Sequence, residues 1–257
     1  MFCYPLGWLV VQSVWDKGFT LAHYQRLLTV PAYTRVLLNT LLMAGVVTLL
    51  CLAFGYPLAY RLATARGRGK AVLLVCILMP FWTNLLVRAY GWMVILHPKG
   101  VLNTALAAAG LIGSPIPLVH NTTGVVIGMT QVMLPYMVLP IAAVMEGVDP
   151  RLLVAARSLG APPWSTFLRV FLPLTLPGVF AGALLVFIIS LGFFVVPALL
   201  GGTRDILLAQ LIQFNISTVL NWGFAATLST VLLATTLAVY GLAHRWLRVG
   251  ALWGEVR

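Results

Sequence analysis

The chain has 257 residues, 61% of them hydrophobic and 8% charged, against about 25% charged in an ordinary soluble domain. Charged residues this scarce cannot give even one domain a water-facing surface, so a soluble globule is excluded and the solvent for most of the chain is lipid. The formal charge of +11 does not point to nucleic acid, because the basic residues are scattered among short segments between apolar runs.

A helix crossing about 30 Å of hydrocarbon needs roughly 20 apolar residues. Met1–Trp15 is uncharged but too short to cross unaided. It lacks the basic flank and small-residue cleavage site of a signal peptide, and reads as the outer remnant of a first span that begins upstream. Five full spans follow, at 36–60, 71–96 with Arg88 towards its far end, 124–145, 171–200 and 223–244. Turn signals and a short apolar stretch predict an interfacial helix at 104–112, and the Leu/Ile run within 201–222 predicts another short helix before the last span.

Pro57, Pro80, Pro135, Pro140 and Pro197 all fall within these spans. A proline removes a ladder hydrogen bond, and in lipid the freed carbonyl must find a neighbouring helix or a polar cavity. Five of them favour a bundle that bends or lines a pathway over a simple anchor. Gly124 with Gly128, and Gly178 with Gly182, place two small residues one turn apart on a helix face. Such faces let backbones approach closely, either within the chain or against a second subunit.

The loops give the orientation. Arg61, Arg66, Arg68 and Lys70, then Arg151, Arg157 and Arg169, then Arg245, Arg248 and Arg257 fall on one side, and the alternate segments carry only Lys17, Arg26, Arg35, Lys99 and Arg204. By the positive-inside rule the C-terminus is cytoplasmic, and residues 16–35, 97–123 and 201–222 face outward. Cys3, Cys51 and Cys76 are isolated and suggest neither a disulfide framework nor a metal site.

Catalytic chemistry needs convergent titratable groups. Asp16, Glu146, Asp149, Asp205 and Glu255 lie outside the spans, and His23, His97, His120 and His244 lie at span ends or between spans. Gly67-Arg-Gly-Lys70 superficially resembles a phosphate loop, but Thr64 stands where a glycine is required and Ala71 where a Ser or Thr is. The expectation is therefore no catalytic residue, no cofactor site and no metal site in this chain. Coupling to an ion gradient needs a group that charges and discharges at membrane depth, and Arg88, which does not usefully deprotonate, cannot relay protons. It either snorkels beside Tyr90 and Trp92 or serves a gate. Energy for transport has to come from elsewhere.

The segment Glu146–Pro173 encodes a short, sharply bounded helix at about 150–159. Asp149 can cap the free amides, Pro150 suits the first helical position, Gly160 the left-handed position past the end, and Pro162-Pro163 prevent continuation. A second helix from about Pro163 leads through Phe171 into the next span. Leu152, Leu153, Ala155, Ala156 and Leu159 make the short helix mostly apolar, unlike a loop facing water. Its length and punctuation favour insertion into a groove on another protein.

Ala155-Ala156, Gly160 and Val170-Phe-Leu-Pro173 fall at the spacing of the cytoplasmic loop of permease subunits of ATP-binding-cassette importers: Glu-Ala-Ala, three residues, Gly, nine residues, Ile-x-Leu-Pro. Val154 stands where the family usually has Glu. The resemblance covers nearly the whole chain and is nearest to the spermidine/putrescine permease group. It is carried also by Phe19-Thr-Leu with Tyr24, Leu38-Asn-Thr-Leu41, Gly55-Tyr-Pro-Leu-Ala-Tyr60, Pro80-Phe-Trp-Thr-Asn84 and Val87-Arg-Ala-Tyr-Gly-Trp92. Gly100-Val-Leu-Asn103, Leu134-Pro-Tyr-Met-Val-Leu-Pro140 and Pro197-Ala-Leu-Leu-Gly201 complete it.

The resemblance implies an all-α polytopic bundle of the type I importer permease fold, here five full spans plus the N-terminal remnant, in one transmembrane domain over 1–257. It implies multi-pass insertion in a bacterial inner membrane, a second permease subunit paired as a heterodimer, two cytosolic ATPases that bind the ATP and Mg, and an extracytoplasmic substrate-binding protein. The loop 146–170 is then the ATPase-coupling loop, with Asp149, Leu152, Leu153, Ala155, Ala156, Leu159, Gly160 and Ala161 as its contact residues. Trp82, Arg88, Tyr90 and Tyr136 are the candidates for the translocation path. The alternatives are an ion-coupled secondary transporter, a membrane enzyme or scaffold, or the same importer class with another cargo such as an amino-acid-like compound, a phosphonate or ferric iron. A polyamine path calls for carboxylates or aromatic faces. Phe81, Trp82, Tyr90, Trp92 and Tyr136 supply aromatic faces, but no acid lies within a span.

Overall fold

The computed structural model describes residues 3–15 and 18–252, and the described residues are helical throughout apart from turns and one isolated bridge between Trp15 and Phe19. In chain order the helices are α1 (Cys3–Val14), α2 (Ala22–Thr29), α3 (Pro31–Thr64), α4 (Gly67–Trp82), α5 (Leu85–Leu96), α6 (Val101–Ala108) and α7 (Thr122–Glu146). There follow α8 (Pro150–Ser158), α9 (Pro163–Thr166), α10 (Leu172–Leu191), α11 (Val195–Leu200), α12 (Leu208–Ser217) and α13 (Trp222–Leu252). Four continuous stretches are long and apolar enough to cross a membrane: 31–64, 122–146, 163–191 and 222–243.

Two expected spans are broken. The span expected at 71–96 is two helices, α4 and α5, bent by 101° at the break, and a fifth crossing exists only where the pair counts as one span. Pro80 has no N–H for the ladder, and Thr83 turns extended (φ −91°, ψ 137°) while its hydroxyl donates to the Pro80 carbonyl at 3.1 Å. Arg88 consequently lies in the first turn of α5 rather than near the end of a long span. The span expected at 171–200 instead runs 163–191 and stops before Gly192, with α11 as a separate short helix. Pro197 thus falls in the first turn of α11, where a missing N–H costs nothing, and not inside a span. The other four prolines lie within α3, α4 and α7 as expected.

Between α9 and α10, residues Phe167–Phe171 widen into a π turn, in which the Leu172 N–H donates to the Phe167 carbonyl. Pro173 explains it. With no N–H at 173 the Arg169 carbonyl loses its ordinary partner, and one wide turn lets the helix continue past the proline without a break. The helix expected at 104–112 begins earlier and ends earlier, as α6, followed by Gly110 at φ +70°. The short helix expected within 201–222 is α12.

The chain divides into two compact units. One holds residues 1–46, 85–129 and 188–257, the other 47–84 and 130–187, and α3, α7 and α10 contribute to both. In the first unit α1 and α12 pack on α13, and α5 packs on α11 and α6. Its core joins Leu27, Leu208, Phe224 and Leu228. The Arg26 guanidinium lies 5.1 Å from the Phe224 ring centre and 5.8 Å from that of Tyr33, which fastens α2 to α3 and α13 by cation–π attraction. Segment 16–35 is therefore not a plain loop.

A second clasp in this unit centres on Asp205, a buried carboxylate. It accepts the Thr122 hydroxyl at the start of α7 and the Gly202 N–H at 3.0 Å, while the Asn121 N–H donates to the Leu200 carbonyl at 3.2 Å. An anion beside a helix N-terminus is also favoured by the helix dipole. Asp205→Ala takes the acceptor from the exposed Thr122 hydroxyl and the half-buried Gly202 amide, at about 0.5–1.5 kcal/mol for each lost bond. The expected outcome is a clearly lower thermal midpoint for the purified protein in detergent, with Asp205→Asn intermediate; an unchanged midpoint for Asp205→Ala refutes the clasp.

In the second unit the Gly178–Gly182 face of α10 lies directly on α7. A Cβ at Gly182 would stand 3.0 Å from the Met137 carbonyl oxygen, and one at Gly178 3.0 Å from that of Pro140. Close packing within the chain thus accounts for this pair of glycines. The Tyr56 hydroxyl on α3 meets the Thr175 hydroxyl on α10 at 3.0 Å. α7 is the most buried of the candidate spans, 56% of its apolar window against 33% or less for the others, so it forms the spine on which other helices pack.

Candidate coupling and translocation site

The segment after α7 folds as its sequence requires. Asp149 Oδ1 accepts the Arg151 N–H at 2.9 Å, capping α8, and Pro150 takes the first helical position. At the other end Gly160 adopts φ +85°, its N–H donates to the Arg157 carbonyl at 2.9 Å, and the Ala161 N–H donates to the Ala156 carbonyl at 3.1 Å. This pair of bonds is the Schellman closure, and it needs a residue that tolerates a positive φ. Both ends of α8 are therefore fixed by its own sequence.

Besides Arg151, Arg157 and Ser158, α8 leaves apolar side chains uncovered. Leu152, Val154 and Leu159 are 47%, 62% and 89% exposed, Ala155 is exposed, and Leu153, Ala156 and Ala161 are half-buried. The helix packs on α9 and the π turn, and Trp164 beside it is also exposed. A small helix with rigid ends and no buried residue of its own lacks a reason to fold alone. Its apolar face is suited to a partner.

Beside α8 an aromatic cluster links α3 to α9 and the π turn. Tyr60 meets the Phe171 ring edge-on at 5.5 Å, Phe167 stacks on Phe171 at 5.8 Å, and Trp164 stacks on Phe167 at 6.3 Å. Lys70 Nζ at the start of α4 and Glu146 Oε1 at the end of α7 form an ion pair at 2.9 Å. Neither the Tyr60–Phe171 contact nor the ion pair was legible locally, since their partners are far apart in the chain.

The four path candidates fall in different units. Trp82 is 89% exposed at the end of α4, and Tyr136 on α7 is half-buried with its ring edge-on to Phe81 at 5.0 Å; both belong to the second unit. Arg88, half-buried, and Tyr90, 55% exposed, lie on α5 in the first unit. Tyr136 is brought together with Phe81, which belongs with the aromatic candidates, while Trp82 stays exposed.

Residues 52–248 match the family described as binding-protein-dependent transport system inner membrane component. The chain is 40% identical over 231 residues to the spermidine/putrescine transport system permease protein of Haemophilus influenzae, covering 89% of this chain and 80% of that one. It is 41% identical over 232 residues to the protein of that description from Escherichia coli, covering 89% and 84%. The molybdenum transport system permease protein of Mycobacterium bovis is 34% identical over 203 residues, covering 78% and 72%. Among solved structures, a bacterial alginate ABC transporter superposes with a TM-score of 0.74 at 17% identity, covering 96% of this chain and 88% of that one. A methionine ABC transporter gives 0.61 at 18% identity, covering 84% and 94%. The all-helical bundle is thus the fold of importer permeases, and the chain belongs to the family of binding-protein-dependent transport system inner membrane components: it is a multi-pass inner-membrane permease subunit of an ATP-binding-cassette importer, a transport component that is not itself an enzyme and carries no cofactor.

Proposed function

We propose that this permease moves polyamines of the spermidine/putrescine kind, delivered by an extracytoplasmic binding protein, and that it takes its power stroke through α8. The observation that carries the cargo is the 40% identity over 89% of the chain to a relative described as a spermidine/putrescine permease. The exposed aromatics support it, because organic ammonium groups are held by ring faces without a buried acid. In this reading 1–257 is one permease domain, the C-terminus is cytoplasmic, and the chain pairs with a second permease subunit, as a heterodimer, over two ATPases.

α8 with Asp149, Leu152, Leu153, Ala155, Ala156, Leu159, Gly160 and Ala161 is the part seated on the ATPase, within the cytoplasmic loop 146–170. Trp82, Arg88, Tyr90 and Tyr136 line the path. The test is ATP-driven uptake of labelled spermidine into liposomes carrying the assembled transporter and its binding protein. Saturable uptake is expected, and Trp82→Ala/Tyr90→Ala/Tyr136→Ala should reduce it several-fold at normal assembly, since exposed cation–π contacts are worth about 0.5–1 kcal/mol each. Unchanged uptake in the triple variant removes the path assignment. Molybdate uptake without spermidine uptake favours the second reading, an oxyanion cargo, which the relative from Mycobacterium bovis suggests.

A further inference from the structure

The connection from α3 to α4 carries more positive charge than the fold uses. Arg61, Arg66 and Arg68 are all exposed, and none has an acidic partner among the described residues. The acid that reaches this connection, Glu146, is taken by Lys70. Space around the connection is open, with nothing within 4 Å of a Cβ built at Gly67 or Gly69.

Its height relative to the bilayer is set by two independent features. Only Ala65 and Arg66 separate the end of α3 from the start of α4, so the connection stays at the level where α3 ends. Tyr60, immediately before Arg61, is 40% exposed and belongs with Phe167, Phe171 and the 71%-exposed Trp164 to one aromatic cluster. Exposed Tyr and Trp at the end of a span mark the headgroup level. Three guanidinium groups without an acidic partner among the described residues stand at that level, and a planar guanidinium binds phosphate through two parallel hydrogen bonds.

We propose that Arg61, Arg66 and Arg68 form a binding surface for anionic phospholipid headgroups, and that lipid phosphate supplies the counter-charge this end of the second unit lacks. The surface commits to lipid rather than to a protein because Tyr60, the neighbour of Arg61, holds this end of α3 at the headgroup level. Phosphatidylglycerol on either leaflet satisfies it, so the proposal is independent of which side the connection faces.

The test uses the assembled transporter in nanodiscs of phosphatidylcholine and phosphatidylglycerol in equal parts, re-extracted so that retained lipid can be weighed by native mass spectrometry. Wild-type protein is expected to retain phosphatidylglycerol in preference to phosphatidylcholine. Arg61→Gln/Arg66→Gln/Arg68→Gln should lower that preference roughly tenfold or more. The corresponding triple lysine variant, which keeps the charge, should retain most of it and serves as the control for folding. Lys99→Gln/Arg204→Gln should leave it unchanged, and free glycerol phosphate should not compete. Equal retention in the triple glutamine variant overturns the proposal. So does loss of ATPase co-purification from that variant with lipid retention intact, which would give the arginines to a protein contact.

Discussion

Replacing Gly182 by leucine is expected to force α7 and α10 apart. A Cβ at this position would lie 3.0 Å from both the carbonyl oxygen and the sulfur of Met137, and one at Gly178 would lie 3.0 Å from the Pro140 carbonyl oxygen and 3.1 Å from the Ile141 Cα. Backbone atoms cannot step aside as the end of a side chain can. Helices in lipid gain nothing from excluding water and associate by close packing, so a face that must separate loses the contact outright. Overpacking costs about 1–3 kcal/mol and occasionally more. Gly45→Ala is the control, because nothing lies within 4 Å of a Cβ there, and alanine is favoured over glycine in a helix by about 1 kcal/mol. The expected result is a lower thermal midpoint and loss of monodisperse protein for Gly178→Leu and Gly182→Leu, and no loss for Gly45→Ala. If all three behave alike, the α7–α10 contact is wrong. The contact matters beyond stability, since α7 ends at Glu146 just before α8, and α9, which starts at Pro163 just after it, continues through the π turn into α10, so α7 and α10 are the arms that hold α8.

The spans were legible because an uncharged apolar run has one outcome in lipid, and their ends were not, because hydropathy does not register geometry. Pro80 and Thr83 interrupt an apolar stretch without changing its composition, so α4 and α5 read as one span. At Pro173 the continuation of the helix from Pro163 into the span was legible, but not the π turn that carries it past the proline. α2 was missed because its eight residues include His23, Gln25 and Arg26, and its membership of the core rests on Leu27 meeting residues near 208 and 224. The caps of α8 were legible because Asp149 and Gly160 act on their own neighbours. Tyr56 with Thr175 is 119 residues apart and Thr122 with Asp205 is 83 apart, so no local spacing could have paired them.

The reading of α8 as the ATPase contact has the largest consequence for function. Gly160 stands at φ +85°, where a residue with a β-carbon costs about 1–2 kcal/mol and a β-branched one more. In Gly160→Val that strain falls on a turn whose two closing bonds, to Arg157 and Ala156, aim the chain into α9. The helix ending loosens and α8 loses its fixed direction. Ala156→Asp acts differently: the helix stays formed, but a carboxylate enters the apolar face, and burying it against a partner costs several kcal/mol unless it is paired. Gly160→Asn separates geometry from side-chain size, because asparagine visits the left-handed region readily and should keep most function. All three variants should insert in the membrane at normal levels, since none changes a span. Gly160→Val and Ala156→Asp should lose ATPase co-purification or transport-stimulated ATP hydrolysis by tenfold or more, a free-energy change of about 1.4 kcal/mol or above. A rigid knob transmits the closure of an ATPase dimer only while both its direction and its surface are intact, so wild-type coupling in both variants would mean that force enters this permease somewhere other than α8.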